Sequence, residues 1–245
     1  MTSQTQLEIL SEAVELLGKM AKESGARFSA VEQKDIRRSF INRHAWNVHD
    51  IARDVLVLGK HGDLRSIYLL SRPALESLFK LAATVSTPNF AAQKVVAEVQ
   101  EEQDKVKRWL EARPAWKDVL TQVEAGLREY EQELRTRYGV TGDKKWKPYQ
   151  VANEGKMSAS YVSDYFVGSK HVHAMLSSLV DREAALYIPA GIYGLTMTVT
   201  HACALLNKAL MDLENCVSPN VFELASDINE RAKAAYENNL TAKRK

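Results

Sequence analysis

Apolar positions recur along this chain with the spacing of a helix face, and polar positions fill the gaps between them. In the first segment Leu7, Leu10, Val14 and Leu17 step by three, four and three, with Glu and Ser between. A second helix is predicted from about Ala30 to Gly59, its apolar surface supplied by Ile36, Phe40, Ile41, Trp46, Val48 and Val55. Gly59 and Gly62 mark its stop and turn. A third helix is predicted from a cap near Asp63 and reads IYLLSRPALESLFKL. Pro73 inside it lacks a backbone donor and clashes with the preceding turn, which predicts a kink that frees the carbonyl of Leu69.

Thr87-Pro88 has the form of a helix start, Thr as cap and Pro in the first turn. A strongly charged helix follows to Arg113, and Pro114 restarts a second one. In that second arm Val119, Val123, Leu127, Tyr130 and Leu134 step by four, four, three and four, a seam with charged flanks. The two arms predict an antiparallel helical hairpin at about 88–138, projecting from the body or lying across it. Gly139 to Pro148 reads as a cationic loop around Trp146, and helical patterns resume to the last helix, from Pro219 towards Asn239. No segment alternates with period two for long enough to be a strand. The expected fold is all-α: a multi-helix bundle forming one domain over residues 1–245, with a long antiparallel hairpin as an excursion.

Composition narrows the function classes. The 245 residues carry 33 Lys+Arg against 31 Asp+Glu, a net charge of +2, which suits neither a basic nucleic-acid coat protein nor an acidic solvating tail. Two cysteines, Cys203 and Cys216, supply neither a disulfide framework nor a zinc-ligand set. The first twenty residues are amphipathic and carry Glu8, Glu12 and Glu15, unlike a secretion signal, so a cytoplasmic protein is expected. Residues 184–207 contain no Asp, Glu, Lys or Arg and are long enough to span a bilayer. Pro189, Gly191, Gly194 and His201 within that stretch, and Asp181, Arg182 and Glu183 beside it, favour a buried core helix and no membrane contact. His201 is then expected as a hydrogen-bonded core histidine.

Candidate chemistry concentrates in two segments. Tyr161, Tyr165, Ser169 and His173 follow one another at steps of four, which strings four polar-tipped groups along one helix face. Arg72 and Glu76, also four apart, flank Pro73 in otherwise apolar surroundings, and charges there must be paired or hydrogen-bonded. Bonds from this pair to Tyr165, Ser169 or His173 would make one enclosed polar site. The same groups also suit a structural network that sets helix register, or a pocket for a small molecule. A second constellation is Arg43-His44 followed by His49. It resembles the Arg-polar-His signature of HEPN-superfamily ribonucleases, in which the Arg holds the scissile phosphate and the His assists attack by the 2′-hydroxyl without a metal. On a helix, residues six apart are separated by about 120°, so Arg43 and His49 need a groove or a second subunit to act together. No nucleotide-binding loop, metalloprotease motif or nucleophile elbow is present, and no metal or cofactor is expected.

The pattern R-x3-E at Arg72 and Glu76, followed by Y-x3-Y-x3-S-x3-H from Tyr161 to His173, resembles a widespread bacterial all-helical family of unknown function, over roughly residues 45 to 210. The resemblance implies the all-α fold. It also implies a distant likeness to HEPN and abortive-infection proteins, hence a role in phage defence or a toxin–antitoxin system. The chain departs from the HEPN pattern at His173, where Phe166, Val167 and Gly168 stand in place of a preceding Arg. On this reading the protein is a metal-independent ribonuclease. His173 is the acid or base, Glu76 orients it, Arg72 binds a phosphate oxygen, and Tyr165 and Ser169 donate hydrogen bonds. RNA, a second copy of the chain and an antitoxin or defence protein are the implied partners. The alternatives are an interaction module without catalysis and a small-molecule sensor.

Overall fold

The computed structural model describes residues 3–29, 35–61, 67–166, 184–216, 218 and 220–243. Every regular element among them is helical: α1 (Ser3–Ser29), α2 (Ile36–Lys60), α3 (Ile67–Ser86), α4 (Phe90–Ala112), α5 (Lys117–Tyr138), α6 (Pro148–Glu154), the single turn α7 (Ser158–Ser160), α8 (Ala184–Glu214) and α9 (Val221–Lys243). A 3-10 turn, Pro114–Trp116, joins α4 to α5, and a π-helical turn, Tyr161–Phe166, continues α7. The fold is the expected all-α bundle with a helical hairpin.

The core forms where α1, α2, α3 and α9 surround α8. The apolar stripe of α1 meets Ile192, Leu195, Val199 and Leu206 of α8, all fully buried. By length and composition Ile188–Glu214 could cross a membrane; in the bundle it is the central helix, apolar on most sides because helices cover most sides. Gly191 allows the closest approach, since a Cβ there would lie 2.9 Å from Cγ2 of Ile67 on α3, whereas Gly194 faces open space. His201 is exposed rather than buried. Thr200, Ala202 and Cys203 take the inward positions, and the intervening residue is turned about 100° away.

Polar groups fasten the helix ends. The carboxylate of Asp35 caps α2 by accepting from the Arg37 N–H at 2.8 Å, so the described helix begins later than the predicted Ala30; residues 30–34 lie outside the described residues. Arg37 donates to the carbonyls of Thr84 and Val85 at the end of α3, and Arg38 to the carbonyl of Leu213 and the carboxylate of Glu214 at the end of α8. Two adjacent guanidiniums thereby satisfy carbonyls that helix termini leave unpaired. Gln6 donates to the carbonyl of Pro189 and accepts from Asn239, a buried chain linking α1, α8 and α9.

The hairpin is anchored at its root, where Phe90, Ala91 and Ala97 enter the main core. Beyond that it is held by its own seam. Leu120 and Leu134 are buried and Leu127 partly so, with Val96, Val99 and Val106 opposite on α4. This corrects the predicted seam, because Val119, Val123 and Tyr130 are exposed. Two heptad-like rows run side by side on α5, and only the row containing Leu120 faces α4. The start of α4 also differs: Asn89 holds the cap position, and the Thr87 hydroxyl donates to Glu154 of α6 instead, at 2.9 Å.

Candidate functional site

Pro73 lies inside α3, which runs on through it, where Arg72 and Glu76 stand one turn apart, and the π-helical turn brings Tyr165 against them. The Tyr165 hydroxyl donates to Glu76 Oε1 at 2.8 Å. Arg72 Nε donates to that same carboxylate oxygen and to the Tyr165 hydroxyl, each at 3.2 Å. The guanidinium also lies over the Tyr165 ring, 5.2 Å from its centroid. Burial, and then the carboxylate beside it, push the Tyr165 phenol up to about 12. It therefore stays protonated and acts as a hydrogen-bond donor rather than a base.

Arg72, Glu76 and Tyr165 are thus brought together across widely separated segments of the chain. Ser169 and His173, the other two members of the expected site, lie outside the described residues. The Arg72 and Glu76 side chains are 37% and 39% exposed, so the network sits at the surface of the bundle and not in its interior. Among the described residues, the bonds from Arg72 to this network leave from Nε. Aromatic rings continue from it: Tyr161 stacks on Tyr165 at 5.1 Å, and Tyr149 meets Tyr161 edge-on at 6.4 Å.

Glu76 also forms the lip of a cleft of about 180 Å³ between α3, α4 and α6. Phe79, Lys80, Lys94, Glu101 and Trp146 line it. Lys80 and the buried Lys94 share one carboxylate oxygen, Oε1 of Glu98, at 3.1 and 3.5 Å. Glu76 and Glu101 line the same cleft, so its two ammonium groups face carboxylates and the cleft has charges of both signs. Behind it His44 is buried, and neither ring nitrogen has a hydrogen-bond partner. Burial first, then the charges of Lys80, Arg43 and Lys94, hold the imidazole down at about 3. Trp146 is not the exposed loop aromatic that its lysine neighbours suggest. It is buried edge-on against Phe90 at 4.9 Å, and Lys144 covers its ring at 3.7 Å.

The second constellation is not assembled within one chain. Arg43 is exposed, while His49 turns towards Gly18 of α1, packs edge-on against Trp46 and shares a hydrogen bond with Asp50 at 2.9 Å. Lys80 and Lys94 are residues that sequence reasoning passed over. Lys80 extends the row Arg72, Glu76 by one more step of four, and Lys94 is a lone cation in the apolar run FAAQKVVA. Both meet the criterion that singled out Arg72 and Glu76.

A family model described as a family of unknown function, DUF5677, matches residues 38–183, more than half of the chain. The chain belongs to DUF5677. The DUF5677 match runs from α2 through the hairpin to the π-helical turn and beyond it, and contains Arg72, Glu76, Tyr165, Ser169 and His173. It begins somewhat before and ends before the span over which the resemblance was expected. Comparison with curated proteins and with solved structures finds no match.

Proposed function

We propose that this DUF5677 chain binds single-stranded RNA and cleaves it without a metal, as a cytoplasmic HEPN-like ribonuclease of a defence or toxin system. The observation that carries the reading is the half-exposed Arg72–Glu76–Tyr165 network, standing between a row of tyrosines and a cleft that contains two lysines. A phosphodiester needs a planar cation for its oxygens, and Arg72 offers its terminal nitrogens. Nucleobases need flat apolar surfaces, and Tyr161 and the exposed Tyr149 provide them beside that cation. Tyr165, protonated at neutral pH, donates a hydrogen bond, Glu76 orients the acid–base group, and His173 is that group.

The test is cleavage of a fluorescent single-stranded RNA in excess chelator, with products analysed for 2′,3′-cyclic phosphate ends. Wild type is expected to yield them and His173→Ala to lose them with little change in melting temperature; Arg72→Ala should lose them too, with about 1–2 kcal/mol of stability lost with its bonds to Glu76 and Tyr165. Wild-type protein that neither binds nor cuts RNA overturns the reading. A small-molecule sensor is the second reading, favoured by a cleft in which Lys80 and Lys94 face Glu76 and Glu101. Ligand-dependent stabilisation in a thermal-shift screen, without RNA cleavage, would select it.

A further inference from the structure

The cleft beside Glu76 holds donors and acceptors that the described residues leave unfilled. Lys94 lines it and is only 5% exposed. Among the described residues its ammonium makes no hydrogen bond. Its ion pair with Glu98 spans 3.5 Å, longer than an ordinary hydrogen bond, and Lys80 takes the same carboxylate oxygen at 3.1 Å. Trp146, 8% exposed and also in the lining, has an indole N–H with no partner among the described residues. Buried donors of this kind are costly until an acceptor reaches them. The acceptors of the cleft are in the same condition. Glu101 is exposed and has no ion pair among the described residues. Glu76 accepts from Arg72 and Tyr165 at Oε1, and no described residue donates to Oε2.

The two kinds of group are ordered along the helices. Lys94, Glu98 and Glu101 step by four and three on one face of α4, and Glu76 and Lys80 stand four apart on α3. On each helix the lysine is nearer the α3–α4 connection, and Glu76 and Glu101 are farther from it. The helical rise separates Glu76 from Lys80 by about 6 Å along the axis and Lys94 from Glu101 by about 10 Å. A simple anion in the cleft would meet Glu76 and Glu101, and a simple cation would meet Lys80 and Lys94. A molecule carrying both charges finds a counterpart for each. Phe79, Trp146 and Val151 add apolar lining, and the volume of about 180 Å³ is below the about 300 Å³ at which pockets for drug-sized ligands begin. We infer that this cleft binds a small zwitterion with an apolar side chain, a free amino acid or a dipeptide. Its carboxylate supplies the acceptor that Lys94 lacks, and its ammonium donates to Glu101 and to Oε2 of Glu76. The inference rests on the small-molecule reading, names the ligand class, and requires no RNA cleavage.

Isothermal titration calorimetry of the full chain tests this. The probes are L-phenylalanine and leucyl-phenylalanine, each also N-acetylated, which removes the ammonium, and as the C-terminal amide, which removes the carboxylate. At least one zwitterion is expected to bind, and the one that binds more tightly identifies the source. Its two blocked forms should each bind about tenfold more weakly or worse. Lys94→Met keeps the stem of the side chain and should weaken the zwitterion about tenfold while leaving the amide unchanged. Glu101→Gln should weaken the zwitterion and leave the N-acetylated form unchanged, and its exposed position keeps the test decisive should Lys94→Met fail to fold. Zwitterion binding indifferent to these substitutions overturns the cleft as the site. A blocked form that binds as tightly as its zwitterion overturns the ligand class but leaves the small-molecule reading standing. No heat from either zwitterion at millimolar concentration overturns the inference, whereas the small-molecule reading falls only when the thermal-shift screen finds no ligand of any kind.

Discussion

His44 makes the stability of this protein dependent on pH in a calculable way. The imidazole is buried on α2 with both ring nitrogens unpartnered, and burial followed by the nearby Lys80, Arg43 and Lys94 charges holds it down at about 3, against 6.5 for an unperturbed group. Below 6.5 the unfolded chain takes up a proton that the folded chain refuses. The stability associated with a neutral His44 is therefore complete above 6.5 and is lost progressively as pH falls towards 3. The slope is about 1.4 kcal/mol per pH unit, so moving from about pH 7.5 to about pH 5 should cost about 2 kcal/mol through this residue alone. His44→Leu removes the titration and both unpartnered nitrogens while keeping an apolar body against Phe40. Urea unfolding of both proteins at the two pH values measures the effect. Glu12, lowered by its hydrogen bond from Arg231, and Asp143, lowered by hydrogen bonds from Gln100 and Arg135, lose their contributions as pH falls through the acid range, but equally in both proteins. The expected result is a pH-dependent loss smaller in the variant by about 2 kcal/mol. Equal losses in wild type and variant would refute the assignment of a neutral, unpartnered His44.

Tyr165→Phe removes the hydroxyl that joins the π-helical turn to Glu76 and Arg72, and should lower unfolding free energy by about 1–2 kcal/mol in chemical denaturation. Combined with Glu76→Gln it should show non-additivity of about 1 kcal/mol, because the two residues share one bond. Gly155→Ala would set a Cβ 2.8 Å from Ala82 Cβ and 2.9 Å from the Ala83 backbone nitrogen, prising α6 from α3; a loss of about 1–3 kcal/mol by thermal unfolding is expected. Gly126→Ala meets open space in a helix interior and should instead stabilise by about 0.5–1 kcal/mol. Burial pushes the Cys203 thiol up to about 12, so a disulfide-exchange reagent at neutral pH should label only the part-exposed Cys216 until denaturant is added.

Much of the architecture was legible because burial of one helix face leaves a periodic mark. Leu7, Leu10, Val14 and Leu17 point inward as their spacing demands, and the uncharged stretch around Val199 is the central helix. Two of the differences, on α5 and at His201, share one cause. On α5, rows beginning at Val119 and at Leu120 both have coiled-coil spacing, and local pattern cannot say which one α4 covers. Around Thr200, a polar residue on an apolar helix was assigned inward at His201, although the neighbouring positions are the ones that neighbours enclose. In both places the pattern is right to within one residue, and one residue is about 100° of rotation.

The candidate site divides along the same line. That Arg72 and Glu76 require partners followed from two charges in an apolar run, since desolvation is costly wherever the helix docks. That Tyr165 is a partner, at 2.8 Å from Glu76, was decided by the π-helical turn and by how α3 meets it. The cleft holding Lys80 and Lys94 exists only because α4 and α6 close on α3. Backbone periodicity and the penalty on unpaired charge act within a few residues, so the chain alone determined its helices and the positions that had to be satisfied. Which groups satisfy them depends on contacts between segments far apart in the chain, and those are settled only when the helices pack.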